Sequence, residues 1–127
     1  MAVCHFTLAT TDIERTKEFF ASALGWRPIH RPNNIPYPAA WLDAGPGMEL
    51  HLIEVDDFRA SPFEREYGRH IAVAFPHAEF PALKERLVRH GAELFAADRP
   101  TPFDRFFFRD PNGYVFEIVE AERRPEA

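Results

Sequence analysis

With one cysteine in 127 residues, Cys4, the chain cannot form an internal disulfide, which fits a reducing compartment. Strand alternation turns Cys4 away from the face of its neighbour His5, so it reads as a small buried hydrophobe rather than a nucleophile. No stretch approaches the roughly 18 apolar residues of a spanning helix, and the N-terminus lacks the basic-then-apolar pattern of a signal peptide. No membrane partner and a cytoplasmic location are expected. Basic residues are in deficit: 15 Lys and Arg against 20 Asp and Glu give a net charge of −5. That balance disfavours nucleic acid as a partner, because counterion release needs a basic stripe.

Apolar residues are plentiful: 46% of the chain is hydrophobic and 14% aromatic, with 13 Phe. That suffices for a packed core with rings left over to line a cleft. The length suits a single domain over residues 1–127, since one core typically serves about 100 to 150 residues.

The chain repeats itself. His5 precedes Gly25 by 20 positions and Glu49 by 44; His70 precedes Gly91 by 21 and Glu117 by 47. One offset of 65 to 68 relates the two sets, and such repetition fixes architecture. Each histidine opens a β-rich stretch that leads into an amphipathic helix ending at a glycine, and each glutamate follows a glycine-containing turn, Gly45-Pro46-Gly47 or Asp110-Pro111-Asn112-Gly113. Two βαβββ modules are predicted at 3–54 and 69–120, joined by a polar linker or lid at 55–68 and followed by a frayed tail at 121–127.

In the first module, strands are expected over 3–9, 26–31, 39–44 and 48–54. Thr11 or Asp12 caps a helix with Ile13, Phe20 and Leu24 on one face, ending at Gly25. In the second, strands are expected over 69–75, 92–97, 104–109 and 114–120. Its helix carries Phe80, Leu83 and Leu87, and Pro81 is tolerated in the first turn.

Two histidines and two carboxylates suit a divalent first-row metal: nickel, zinc, manganese, iron or cobalt. Four protein donors on an octahedral ion leave two positions for substrate oxygens. A lone strand histidine is more often structural than a ligand; the recurrence with a glutamate on an apolar strand is what points to a site. Glu117 is flanked by Phe116 and Ile118, which alternation places on the other face. In the first half the offset spans positions 49 to 52, so Glu49 and His51 both qualify. His30, His77 and His90 are not needed. Phe106, Phe107 and Phe108 must point alternately to the two faces of their strand. Arg69, Arg99, Arg105 and Arg109 could receive an anionic group, but solvated surface is their simpler reading.

These features resemble the vicinal-oxygen-chelate superfamily, which includes glyoxalase I, fosfomycin-resistance and bleomycin-resistance proteins and extradiol dioxygenases. The likeness runs from His5 to Glu120. It rests on His5-Phe6-Thr7-Leu8, Trp41-Leu42-Asp43, Met48-Glu49-Leu50-His51-Leu52, Arg69-His70-Ile71-Ala72 and Phe108 through Glu117. The resemblance implies an α+β fold in which two βαβββ modules form an open, curled mixed β-barrel, within a homodimer that takes a small-molecule substrate. The glyoxalase I pattern implies metal ligands at His5, Glu49, His70 and Glu117, preferring Glu49 and keeping His51 as its substitute. It further implies that Glu117 and Glu49 move a proton between adjacent carbons by way of an enediolate.

Ala9 and Ile53 stand where glyoxalase I enzymes carry an arginine and an asparagine, so the likeness does not extend to the glutathione contacts. Fosfomycin-resistance proteins share the His-x-Thr-Leu pattern, yet their potassium-loop serines and the tyrosine expected near Phe107 are not evident here. The expected function is therefore a metal-dependent isomerase or lyase acting on a small α-hydroxycarbonyl or related bidentate oxygen substrate. The alternatives are a non-enzymatic binder of the bleomycin-resistance kind and an Fe(II) ring-cleaving dioxygenase using His5, His70 and Glu117 with His51 as acid–base.

Overall fold

A strand, a helix and three further strands follow one another twice along the chain. The computed structural model describes residues 1–124 and 126 and divides into two compact units, Met1–Phe58 and Arg59–Ala127. Of the tail expected to fray, Pro125 and Ala127 lie outside the described residues, while Glu126 meets Arg99 at 3.0 Å. No helix among the described residues is long and apolar enough to cross a membrane.

The first unit comprises β1 (His5–Thr10), α1 (Ile13–Leu24), β2 (Pro28–Ile29), β3 (Ala39–Asp43) and β4 (Glu49–Glu54), in sheet order β1-β4-β3-β2. β1 and β4 run parallel and the other pairs antiparallel, so the chain needs the crossover that α1 begins. The helix starts where Asp12, in extended conformation, accepts the Arg15 N–H at 3.1 Å. It stops at Gly25, whose φ of 75° is the left-handed turn that favours glycine. Period 2 sorts the strands: Leu8, Leu42, Leu50 and Leu52 are buried beneath α1, where Phe20, Ala23 and Leu24 meet them. The opposite face carries His5, Thr7, Ala9, Trp41, Glu49, His51 and Ile53. β2 is shorter than the predicted 26–31, pairing with β3 only at Pro28 and Ile29.

The second unit repeats this order with β5 (Ile71–Phe75), a 3-10 turn (His77–Glu79), α2 (Phe80–Arg89), β6 (Glu93–Phe95), β7 (Arg105–Arg109) and β8 (Val115–Glu120). Its sheet runs β5-β8-β7-β6, again with only the first and last strands parallel. α2 buries Phe80, Leu83 and Leu87. The three consecutive phenylalanines alternate as required: Phe106 meets Phe80 edge-on and Phe108 stacks on Phe116, while Phe107 lies on the other face, opposite Glu117. Thus the chain adopts the expected α+β arrangement of two βαβββ units.

Three expectations need correction. His70 precedes β5 rather than lying in it, because pairing with β8 begins at Ile71. Cys4 is exposed, not buried: it precedes β1, and no element covers it. The polar stretch 59–68, read as part of a linker, belongs to the second unit. There Glu64 is buried, accepting the Val115 N–H at 2.8 Å and, with both oxygens, the Arg69 guanidinium. A carboxylate can be buried when every lone pair has such a donor.

The turn before β8 is built by Asp110, whose Oδ1 accepts the N–H groups of Asn112 and Tyr114 at 2.9 Å each. Its Oδ2 is buried without a partner. Burial pushes the Asp110 carboxyl up from 3.8 to about 7; the backbone N–H groups of Tyr114, Asn112 and Gly113 oppose that rise, and the charge of Glu64 adds to it.

Candidate metal centre

In the first unit, the β1–β4 register sets His5 directly opposite Glu49 on one face. Glu49 was expected on a buried strand, yet its side chain is 46% exposed. Its Oε1 lies 2.9 Å from His51 Nε2, two residues along the same strand. His51 is sandwiched: Trp41 stacks on it with ring centroids 3.8 Å apart, and His5 stacks on the other side at 4.1 Å. Ring-nitrogen lone pairs lie in the ring plane, so the stacked His5 and His51 rings, tilted by 17°, hold theirs in two nearly parallel planes. A cavity of about 610 Å³ opens beside them, lined by Cys4, His5, Ile29, Asp43, Met48 and Glu49 among others.

In the second unit, His70 Nε2 approaches Glu117 Oε1 to 3.2 Å. Glu117 lies on β8 beside the Phe107 ring, which the His70 ring meets edge-on. Its other oxygen, Oε2, accepts from Arg105 NH1 at 2.9 Å. Arg105, expected as surface charge, is only 4% exposed in its side chain. Its NH2 donates to Glu66 Oε2 at 2.9 Å and to the Arg99 carbonyl at 2.7 Å. Burial would raise the Glu66 carboxyl, but the N–H groups of Asp98 and Arg99 and the Arg105 guanidinium outweigh it and hold the group below the usual carboxylate range.

The sequence reading therefore missed Arg105 and Glu66. Period 2 in β7 does carry a signal for Arg105, since it shares the face of Phe107, the cross-strand partner of Glu117. Glu66 reaches that arginine from an irregular segment, and no local pattern marks it.

The predicted residues thus gather as a His5–Glu49–His51 cluster in one unit and a His70–Glu117 pair in the other. Among the described residues, no three His, Cys, Asp or Glu side chains stand as a ready metal-holding group. The pairs nevertheless suit an ion. With metal–N and metal–O bonds of about 2.0–2.2 Å, neighbouring donors on an octahedral ion lie about 3 Å apart. The observed 3.2 Å and 2.9 Å separations match that spacing. Imidazole and carboxylate together favour a borderline divalent ion over a thiolate-seeking one.

Known proteins point the same way. The chain is 23% identical over 125 residues to glyoxylase I 4 of Arabidopsis thaliana, covering 95% of this chain and 71% of that protein. It is 26% identical over 130 residues to the lactoylglutathione lyase of Salmonella typhimurium, covering 96% and 94%. Among solved structures, the fosfomycin resistance protein FosX of Listeria monocytogenes superposes with a TM-score of 0.75 at 21% identity, over 99% of this chain and 95% of that one. A mutant of that FosX, complexed with Mn(II) and 1S,2S-dihydroxypropylphosphonic acid, superposes with a TM-score of 0.77 at 19% identity, over 94% and 91%. The profile of one family matches residues 2–118. The chain belongs to the Glyoxalase/Bleomycin resistance protein/Dioxygenase superfamily.

Proposed function

We propose that the protein is a metal-dependent isomerase or lyase of the glyoxalase kind, acting on a small α-hydroxycarbonyl or related substrate with two neighbouring oxygens. One observation carries this reading: each unit brings a histidine nitrogen and a glutamate oxygen to the spacing of adjacent metal ligands, His70 and Glu117 at 3.2 Å and His51 and Glu49 at 2.9 Å, with His5 directly across the ladder from Glu49. The proposed ligands are His5, Glu49, His70 and Glu117, with His51 as the substitute for Glu49. When bound, the divalent ion offsets negative charge that develops on substrate oxygen. Glu49 and Glu117 hold the migrating proton and return it to the adjacent carbon. The reading includes a homodimer.

The substrate is proposed to be something other than a glutathione adduct. Ala9 and Ile53 are direct cross-strand partners, and Ala39 pairs with Ile53 in turn, so this end of the face is apolar. The strand residues of the same face include Asp43 and Glu49 but neither Lys nor Arg, which disfavours an anionic tail there.

Metal analysis of the purified protein, repeated on His5→Ala and Glu117→Ala, tests the proposal. A first-row ion in the wild type and its loss from both variants is the expected result. A metal-free wild type, or unchanged content in the variants, overturns it in favour of a binder. With metal present, solvent-proton exchange into α-hydroxycarbonyls is expected; oxygen uptake with catechols would reject the isomerase.

A further inference from the structure

The two glutamates have unequal surroundings. Glu49 is half-exposed beside a histidine, whereas Glu117 is buried and held by a guanidinium that is itself almost wholly buried. Arg105 bridges two carboxylates at once, taking Glu117 Oε2 with NH1 and Glu66 Oε2 with NH2, and the Arg99 carbonyl fixes the same NH2 from a third side. Its guanidinium carbon also lies 5.4 Å from the centre of the Phe107 ring. Glu66 is itself anchored by the N–H groups of Asp98 and Arg99, at 2.7 Å and 3.1 Å. The clamp therefore has a rigid far end.

A planar, permanently charged fork pinned in this way fixes the rotation of the carboxylate it holds. With Oε2 engaged by Arg105, the oxygen left to face His70 Nε2 is Oε1. We propose that Arg105 is a positioning residue that presents Glu117 as a single-oxygen donor beside His70. Bidentate attachment of Glu117 would make Oε2 share its electron density between the ion and Arg105, weakening the bond that holds the guanidinium. The outer partner of a metal-binding carboxylate is thus built into β7, in the strand next to the ligand it orients. This inference rests on the metal reading above.

Its test is Mn(II) binding to the full chain, followed by calorimetry and by the electron paramagnetic resonance spectrum of the bound ion, in wild type, Arg105→Lys and Arg105→Met. Arg105→Met is expected to weaken Mn(II) about 10- to 100-fold, the usual range for loss of an outer partner, and to change the spectrum as Glu117 gains a second donor oxygen. Arg105→Lys keeps the charge but has no fork to span two carboxylates, so an intermediate loss is expected. If Arg105→Met does not fold, as judged by circular dichroism, Arg105→Lys decides alone. Folded variants with wild-type affinity and spectrum overturn the assignment to Arg105 while leaving the metal reading intact. A wild type that binds no Mn(II) overturns both.

Discussion

His70 reaches Glu117 on a diagonal: the strand partner of Glu117 is Ala72, and His70, two residues earlier, brings Nε2 to within 3.2 Å of Oε1. In the first unit His5 faces Glu49 directly, and the residue on its diagonal is His51. By position in the ladder, then, Glu117 corresponds to His51, and Glu49 corresponds to Val115. The units share a topology but supply their carboxylates from different rungs.

That difference makes the contributions of Glu49 and His51 separable. We predict that Glu117→Gln and Glu49→Gln each lower turnover by at least about 100-fold, the low end for loss of an acid–base group. His51→Gln, which keeps a hydrogen-bonding side chain next to Glu49, should cost less than either. Steady-state rates on any substrate showing proton exchange check the order.

The histidine face is expected to matter little to stability. His5 is exposed, so His5→Ala should shift the free energy of unfolding by no more than about 0.5 kcal/mol. Leu83 is fully buried on the inner face of α2, and Leu83→Ala should cost about 2–5 kcal/mol. Urea unfolding of both variants gives the comparison.

A loss well above that of His5→Ala is expected at Glu64. Replacing it with alanine leaves the buried Val115 N–H without its acceptor, while Arg69, 46% exposed in its side chain, regains water. An unsatisfied buried donor typically costs about 1–3 kcal/mol. The same unfolding measurement detects it, and Glu64→Gln, which keeps an acceptor for Val115, should recover part of the loss.

Asp110 gives stability a pH dependence. Burial raises its carboxyl from 3.8 to about 7, so between those values the folded chain binds a proton that the unfolded chain releases. This contribution is complete below pH about 4 and is lost as pH rises through about 7. Asp110→Asn cannot titrate, so its unfolding free energy should lack this downward slope across the same window; denaturant melts from pH 4 to 8 will show it.

Much of this was legible in the sequence because it is local or periodic. Asp12 and Gly25 bound α1 as expected, and alternation separated Glu117 from Phe116 and Ile118 and Phe107 from Phe106 and Phe108. The repeat offset of 65 to 68 already held the ambiguity between Glu49 and His51, because a strand has two-residue rungs and the offset could not choose among them. Glu64 and Glu66 were not legible, and for Arg105 alternation offered a face but not its burial. Their burial depends on partners 12 to 51 positions away, and an arginine or glutamate in an irregular or edge segment has the same local sequence whether it is solvated or clamped. Cys4 failed for a simpler reason: alternation gives a face, but only a covering element makes that face an interior.

The ring sandwich around His51 makes the protein its own indicator. Of the two tryptophans, Trp26 is sealed in the first unit against Phe20, while Trp41 lies flat on the imidazole that touches Glu49. Any occupant that turns or charges that imidazole alters the excited state of Trp41 and leaves Trp26 as an internal reference. Occupancy beside His51 is thus readable from intrinsic emission, without a label and before any substrate is known.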